Sequence, residues 1–320
     1  MLPLGIDLGS TRVRLALGEV GRDGSVRIRA IVARDVPDAA VSALDVEQPG
    51  LVAAVLDEML DEIGSRERRC VLAIGAPACV LRTVRFPKMS WAERLRAAHF
   101  EARRFSGWDL DEDGSIVRTH PLDRSSGTYA VGVTRTTSID SRVSTVRLAG
   151  LRAVAIDHDA LAMRRMFPGC DAIVDVGAER SSVHVFGGVG PISMTTESGG
   201  AAITRGIAAE LSIDVPTAER RKRILGCAGA GVSAREEVVT SIASLIDRAR
   251  ARAAIDRIVL TGNGARLPSF IRDLEEATGA ITEAPVPEIL HTGAYPEDVV
   301  RAAAPDWTLA ASLAVWSAAA

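Results

Sequence analysis

Two stretches of this chain repeat one another in element order. Residues 2–8 are a short apolar run that stops at Gly9-Ser10-Thr11; residues 13–18 then resume with strand-like alternation, and 26–33 supply a third strand. Residues 172–177 are again an apolar strand ending in Asp-x-Gly, followed by strands at 181–186 and 192–196. In each half a carboxylate, Asp7 or Asp175, closes the first strand where it can aim into a cleft. A duplicated strand, Asp-x-Gly turn, strand, strand, helix unit predicts an α/β protein of two lobes, and it is a stronger signal than either turn alone. The length of 320 residues suits two such lobes.

Between the repeats the pattern changes character. Residues 81–87 read as extended, and Ser90 followed by Glu93 is a capping-box signature for a helix to about Phe105 that carries Arg94, Arg96, Arg103 and Arg104. An acidic loop over 109–115, strands at 116–120 and 128–134, and a helix over 138–149 complete an inserted subdomain. Elsewhere helices are expected at 49–63, 200–211, 215–225, 234–254, 268–278 and 307–317, with strands at 70–75 and 257–261. The domain boundaries that follow are 1–80 with 148–170 for the first lobe, 81–147 for the insertion, and 171–306 for the second lobe, in which 201–255 form a smaller subdomain. Residues 307–320 are expected to pack back on the first lobe.

Composition excludes several classes. The chain is 47% apolar and 25% charged, so disorder is out, and with only 4% aromatic residues its core must be aliphatic. A net charge of −3 argues against a nucleic-acid partner. Four cysteines lie scattered without a C-x-x-C pair and the five histidines do not join them, which predicts reduced thiols and no zinc site. The start MLPLGIDLGS has no basic n-region, and residues 308–320 fall short of the roughly 20 a membrane helix needs. A cytoplasmic protein is expected, with any membrane contact indirect. Arginines 248, 250 and 252 read as a wet helix face, and Trp91, Trp108, Trp307 and Trp316 as packing residues.

The repeat also carries chemistry. A hairpin of Gly with small hydroxyl residues lets backbone N–H groups approach an anion, and two hairpins facing each other could clasp a polyphosphate. Their carboxylates would stand where a hydrated Mg²⁺ belongs, because Mg²⁺ takes few protein ligands. A buried strand entering Gly262-Asn263-Gly264-Ala265-Arg266-Leu267-Pro268 gives a third close approach, at a helix start that favours anions. No G-x-x-x-x-G-K-[ST] and no G-x-G-x-x-G after a first strand occur, so P-loop and dinucleotide-binding readings lack support.

In order and spacing these motifs resemble the actin, Hsp70 and sugar-kinase fold, and within it the PilM family of type IV pilus assembly proteins. The resemblance spans nearly the whole chain. Its points are Gly5-Ile6-Asp7-Leu8-Gly9-Ser10; Arg85-Phe86-Pro87-Lys88-Met89 before a helix with Glu101; Gly150-Leu151 with Ala155-Ile156-Asp157; and Val174-Asp175-Val176-Gly177-Ala178-Glu179. Gly199-Gly200, Ala218-Glu219 with Lys222, and Gly264-Ala265-x-Leu267-Pro268 complete it. The insertion is placed as in PilM and FtsA, unlike that of actin.

The resemblance implies ATP or ADP with Mg²⁺ between the lobes. Asp7 and Asp175 would hold the metal through water, while Gly9, Ser10, Thr11, Gly177, Ala178 and Ser181 line the phosphates. Arg14 stands where a phosphate-contacting lysine is usual, and Asn263 interrupts the usual double glycine. Gly199 and Gly200 open a helix beside the second hairpin; Glu219 and Lys222 would meet ribose and adenine, or else lie on a solvated charged helix; Gly262, Gly264 and Ala265 would reach the adenosine end. Asp157, with His158 and Asp159 beside it, falls near the place from which the fold orients an attacking water. Hydrolysis is expected to be slow or absent.

The implied partner is the N-terminal cytoplasmic tail of a PilN-like inner-membrane protein, seated between the first lobe and the insertion around 87–101, with other pilus inner-membrane components nearby and self-association as a further expectation. Rival readings are an FtsA-like filament-forming ATPase and a small-molecule kinase of the same fold. The terminal stripe Leu309, Leu313, Trp316 lacks the Lys/Arg-rich face of a membrane anchor, which weighs against the FtsA type.

Overall fold

The computed structural model describes residues 2–112, 114–188, 190–291, 293 and 295–318. Of the sequence expectations, Asp113 of the acidic loop and residues 319 and 320 of the terminal segment lie outside those residues.

The duplication is visible in the sheets. β1 (Leu4–Leu8), β2 (Arg12–Val20) and β3 (Val26–Asp35) form an antiparallel meander. β4 (Arg69–Ile74) then pairs parallel to β1, and β8 (Arg152–His158) parallel to β4, giving the order β3-β2-β1-β4-β8. The second sheet repeats this with β9 (Ala172–Val176), β10 (Ser181–Val185), β11 (Ile192–Thr196), β12 (Arg257–Thr261) and β13 (Ile281–Glu283), in the order β11-β10-β9-β12-β13. The central strands β1 and β9 read as continuous apolar runs because both faces are covered. Leu4, Ile6, Ile173 and Val174 are fully buried.

A third sheet, β5 (Cys79–Arg85), β7 (Thr128–Arg135) and β6 (Ser115–Asp123), lies between β4 and β8 in sequence, in the order β5-β7-β6. α2 (Trp91–Phe105) packs on it through Ala98 and Ala102, against Val117, Val131 and Val133. The capping box forms as read: the Ser90 hydroxyl accepts from the Glu93 N–H while Glu93 accepts from the Ser90 N–H at 2.8 Å. α1 (Pro49–Ile63) and α3 (Thr136–Leu148) cover the first sheet.

Several elements differ from expectation. β8 and α4 (Asp159–Met166) were legible only as a motif, since residues 152–166 are too mixed for a clean period. α5 (Gly200–Leu211) and α6 (Val215–Leu225) fall where predicted, and α7 (Val232–Arg250) and α8 (Phe270–Thr278) within a few residues. The last helix does not. α9 runs Glu297–Ala314, ten residues earlier than read, straight through Pro305. The proline deprives the exposed Arg301 carbonyl of a helical partner, a loss that water can make good. The Pro305 carbonyl itself accepts the Gly262 N–H at 2.7 Å.

α9 decides how the molecule is held together. It lies across β1 and β2, and Gly5 permits the contact: a Cβ there would stand 2.0 Å from the Ala310 carbonyl oxygen. Leu313 is fully buried, and Leu309 and Trp316 pack beside it on Val71 and Ala162. Trp91 overturns its reading as a packing residue. It is 67% exposed, because the inward face of α2 is taken by Ala98, Ala102 and Phe105.

Candidate functional site

The two hairpins have the same local geometry. Gly9 N–H donates to the Arg12 carbonyl at 3.1 Å, and Gly177 N–H to the Arg180 carbonyl at 2.9 Å. A Cβ on Gly9 would sit 2.8 Å from that Arg12 oxygen and one on Gly177 2.9 Å from the Arg180 oxygen, so each turn closes only around glycine. Gly9, Ser10, Gly177 and Ala178 are half-buried and Thr11 is exposed at the hairpin tips. Ser181 does not join them. It is fully buried, and its hydroxyl donates to the Ser198 carbonyl at 2.7 Å, tying β10 to the loop before α5.

Asp7 and Asp175 end their strands facing one another's field. Burial pushes the Asp175 carboxyl up to about 7, helped by the negative charges of Asp7 and Asp159. Asp7 is also raised, by burial against the pull of Arg14. Arg14 donates from Nη1 to Asp7 at 3.0 Å and from Nε to Asp306 at 2.9 Å, with a further bond from Nη2 to Asp306. Asp306 sits in α9 with its side chain 1% exposed. Arg14 therefore spends its fork on two carboxylates, and no feature of the sequence linked it to a residue so distant. Thr261, at the end of β12, donates to Asp175 at 3.1 Å.

Asp157 is turned away from this group. Arg165 donates to it at 2.7 Å, and its other oxygen accepts the His158 N–H. The carboxylate whose charge reaches both Asp7 and Asp175 is its neighbour Asp159. Against its burial, His184 and His158 hold Asp159 down to about 2. The His158 Nδ1 lies 2.8 Å from Asp159 and the His184 Nε2 3.9 Å, so a residue of β8 and a residue of β10 meet on one carboxylate.

The remaining predicted residues converge on the second hairpin. A Cβ on Gly199 would stand 2.6 Å from the Ala178 oxygen, and one on Gly262, whose φ is +82°, 2.7 Å from Asp175 Oδ1. Gly264 leaves room for Val176, and Ala265 is buried beside it. Glu219 and Lys222 are not a solvated face. Lys222 is buried and donates to the Gly200 carbonyl at 2.8 Å and to Thr204 at 2.7 Å, while pairing with Glu219 at 2.6 Å. Although half-burial opposes it, Lys222 and Thr204 hold Glu219 below the usual carboxylate range. Sequence reasoning missed Thr204, Thr261 and Asp306. Each is a polar residue on an otherwise buried stripe, a signal too common to single them out.

The arrangement fits a polyphosphate with a cation. Two glycine turns, a third glycine turn at Gly262 and buried carboxylates whose own charges repel one another make a cleft that gains by taking up positive charge. Among the described residues no three His, Cys, Asp or Glu converge tightly enough to ligate a metal directly, so a Mg²⁺ here would keep most of its water.

Two sheets of identical order, each carrying an Asp-x-Gly hairpin at the same point, define a protein of the mixed α/β actin-like ATPase fold. The chain belongs to the family described as Type IV pilus assembly protein PilM, whose sequence pattern matches residues 5–318. Among solved structures it is similar to a PilM-PilN type IV pilus biogenesis complex, at 23% identity and a TM-score of 0.86, covering 99% of this chain and 98% of that one. The ethanolamine utilization protein EutJ from Carboxydothermus hydrogenoformans follows at 12% identity and 0.64, covering 98% and 89%. The activator of 2-hydroxyisocaproyl-CoA dehydratase from Clostridium difficile, solved with bound ADPNP, matches at 12% identity and 0.50, covering 99% and 94%.

Proposed function

We propose that this protein binds ATP or ADP with Mg²⁺ between its two lobes and docks the N-terminal cytoplasmic tail of a PilN-like inner-membrane protein, as an assembly component of a type IV pilus machine working at the inner face of the membrane. The observation that carries this reading is the end-to-end likeness to a PilM-PilN complex, together with membership of the PilM family. On the nucleotide side, Asp7 and Asp175 would hold the hydrated cation, Gly9, Ser10, Thr11, Gly177 and Ala178 the phosphates, and Glu219 with the Gly262–Ala265 turn the adenosine. Asp159, held between two imidazoles, is better placed than Asp157 to orient a water. Arg14, already shared between Asp7 and Asp306, must release one of them to reach a phosphate, in keeping with slow turnover at most.

On the partner side, the inserted unit 81–147 offers β6 as an edge strand, and an extended tail could add to it along the stretch before Pro121, which has no N–H to donate, drawing affinity from backbone hydrogen bonds. The insertion is anchored to the rest of the chain by Arg142 donating to the Leu44 carbonyl at 2.8 Å and by Thr134 donating to the Ala78 carbonyl at 2.8 Å.

Calorimetric titration with the cytoplasmic tail peptide of a PilN-like protein should give saturable binding that is lost when residues 85–145 are deleted. Binding that survives the deletion places the partner elsewhere. Mg²⁺-ATP at a hundred times its dissociation constant should stabilise the protein by about 2.7 kcal/mol. Asp7→Ala with Asp175→Ala should remove that shift, and no shift in the unmutated protein at millimolar nucleotide would end the nucleotide half of the proposal.

A further inference from the structure

The outward face of α2 is left unused by the nucleotide site and the β6 docking edge proposed above. Its inward contacts are made by the fully buried Ala98 and Ala102 with Phe105 at the C-terminal end, while two of its large apolar side chains point away: Trp91 is 67% exposed and Phe100 66%. Leu95, Arg96, His99 and Arg103 complete this one surface. The acidic groups nearby compensate only part of the helix's positive charge. Glu93 is spent in the capping box, Glu101 is paired with Arg104, and Asp111 from the following loop is paired with Arg103. Arg96 makes no hydrogen bond or close ion pair among the described residues, although it feels the charge of Glu93 one turn earlier, and Lys88 stands exposed just before the helix.

We propose that this face of α2 contacts the headgroup region of an anionic phospholipid bilayer. Three features on the molecule select that occupant. The surface is contributed by a single helix, so it has no walls to hold a peptide as a groove does. A second copy of the chain paired through the same face would set arginines against arginines, which disfavours a symmetric dimer. Tryptophan and phenylalanine interleaved with arginine along one helix match the plane of a membrane interface, where the rings enter the acyl boundary and the cations meet lipid phosphates.

Two large apolar residues and one unpaired arginine make a weak contact alone. It gains force from a second attachment, because tethering raises the effective concentration of the face at the bilayer. That second attachment is the docking of a membrane protein's tail proposed above, and the inference rests on that reading only for where in the cell the contact is made. The basic helix read from the sequence is thereby assigned to lipid. Membrane contact becomes direct as well as indirect.

Vesicle flotation of the full chain at low salt, without partner peptide, tests this. The protein should float with vesicles of phosphatidylethanolamine and phosphatidylglycerol and stay behind with phosphatidylcholine. Trp91→Ser with Phe100→Ser should reduce the bound fraction about tenfold, and Arg96→Glu several-fold, with melting curves unchanged because all three side chains are exposed. Brominated phosphatidylglycerol should quench the protein's fluorescence, and Trp91→Phe should float normally while losing most of that quenching. Failure to float with anionic vesicles, or flotation indifferent to both sets of substitutions, overturns the proposal, whatever protein is later found on that face. The tail-peptide titration in the same preparation separates the two readings: peptide binding without flotation removes the lipid contact alone.

Discussion

Asp175 and Asp159 sit in one cleft and are driven in opposite directions. Asp175 has its carboxyl pushed up from 3.8 to about 7 by burial, so the folded protein holds that proton more tightly than the unfolded chain does. The stability this confers is complete below about pH 4 and is lost as pH rises to about 7. Three pH units at about 1.4 kcal/mol each put the effect on the order of 4 kcal/mol. Asp159, held down to about 2 by His184 and His158, contributes stability present above pH 3.8 and lost as pH falls towards 2. Asp175→Asn should therefore raise the melting temperature of the nucleotide-free protein at about pH 8 and flatten its decline between pH 4 and 7. Melts across that range check it; an unaltered slope would mean that Asp175 is not the buried acid responsible. A bound cation would have the same stabilising effect on the ionised carboxylate, which is why the substitution should help the empty protein and harm nucleotide binding.

Glycine substitutions separate the roles of two elements. Gly5 lies on β1 where α9 crosses, and a methyl group there would stand 2.0 Å from the Ala310 oxygen and 2.3 Å from the Ala314 nitrogen. Gly5→Ala must lift the helix from the sheet and should cost about 3 kcal/mol. Gly50, in the first turn of α1, has nothing within 4 Å of the same position, so Gly50→Ala should stabilise by about 0.5–1 kcal/mol through helix propensity and the unfolded chain. Urea titration of the two variants should move the midpoint in opposite directions. Equal shifts would show that α9 is not seated on β1 as described.

At the scale of the whole molecule, α9 joins what the repeat keeps apart. It buries Val300, Ala304, Ala310, Ala311 and Ala314 in a cluster with Ala16 and Ile28 of the first sheet and with Leu2 just before it. In the same helix Pro305 holds the Gly262 turn and Asp306 holds Arg14. Truncation before Glu297 should open the first sheet and release the Gly262 turn together, read as binding of a hydrophobic dye with loss of near-ultraviolet circular dichroism. A truncated chain that stays tightly packed and retains the Mg²⁺-ATP shift would show the helix to be peripheral. Much of this protein was fixed locally. The apolar runs of β1 and β9, the Asp-x-Gly turns and the Ser90–Glu93 box are short-range patterns, and they yielded the duplicated fold, the two hairpins and most helices directly. What the sequence could not disclose depends on residues far apart along the chain. The pairing of Arg14 with Asp306, the meeting of His158 and His184 on Asp159 while Asp157 takes Arg165, the internal use of Ser181 and Lys222, and the passage of α9 through Pro305 are each decided by which groups the folded lobes bring together. Propensity and periodicity act over a few residues, whereas a buried charge takes whatever partner tertiary packing leaves beside it.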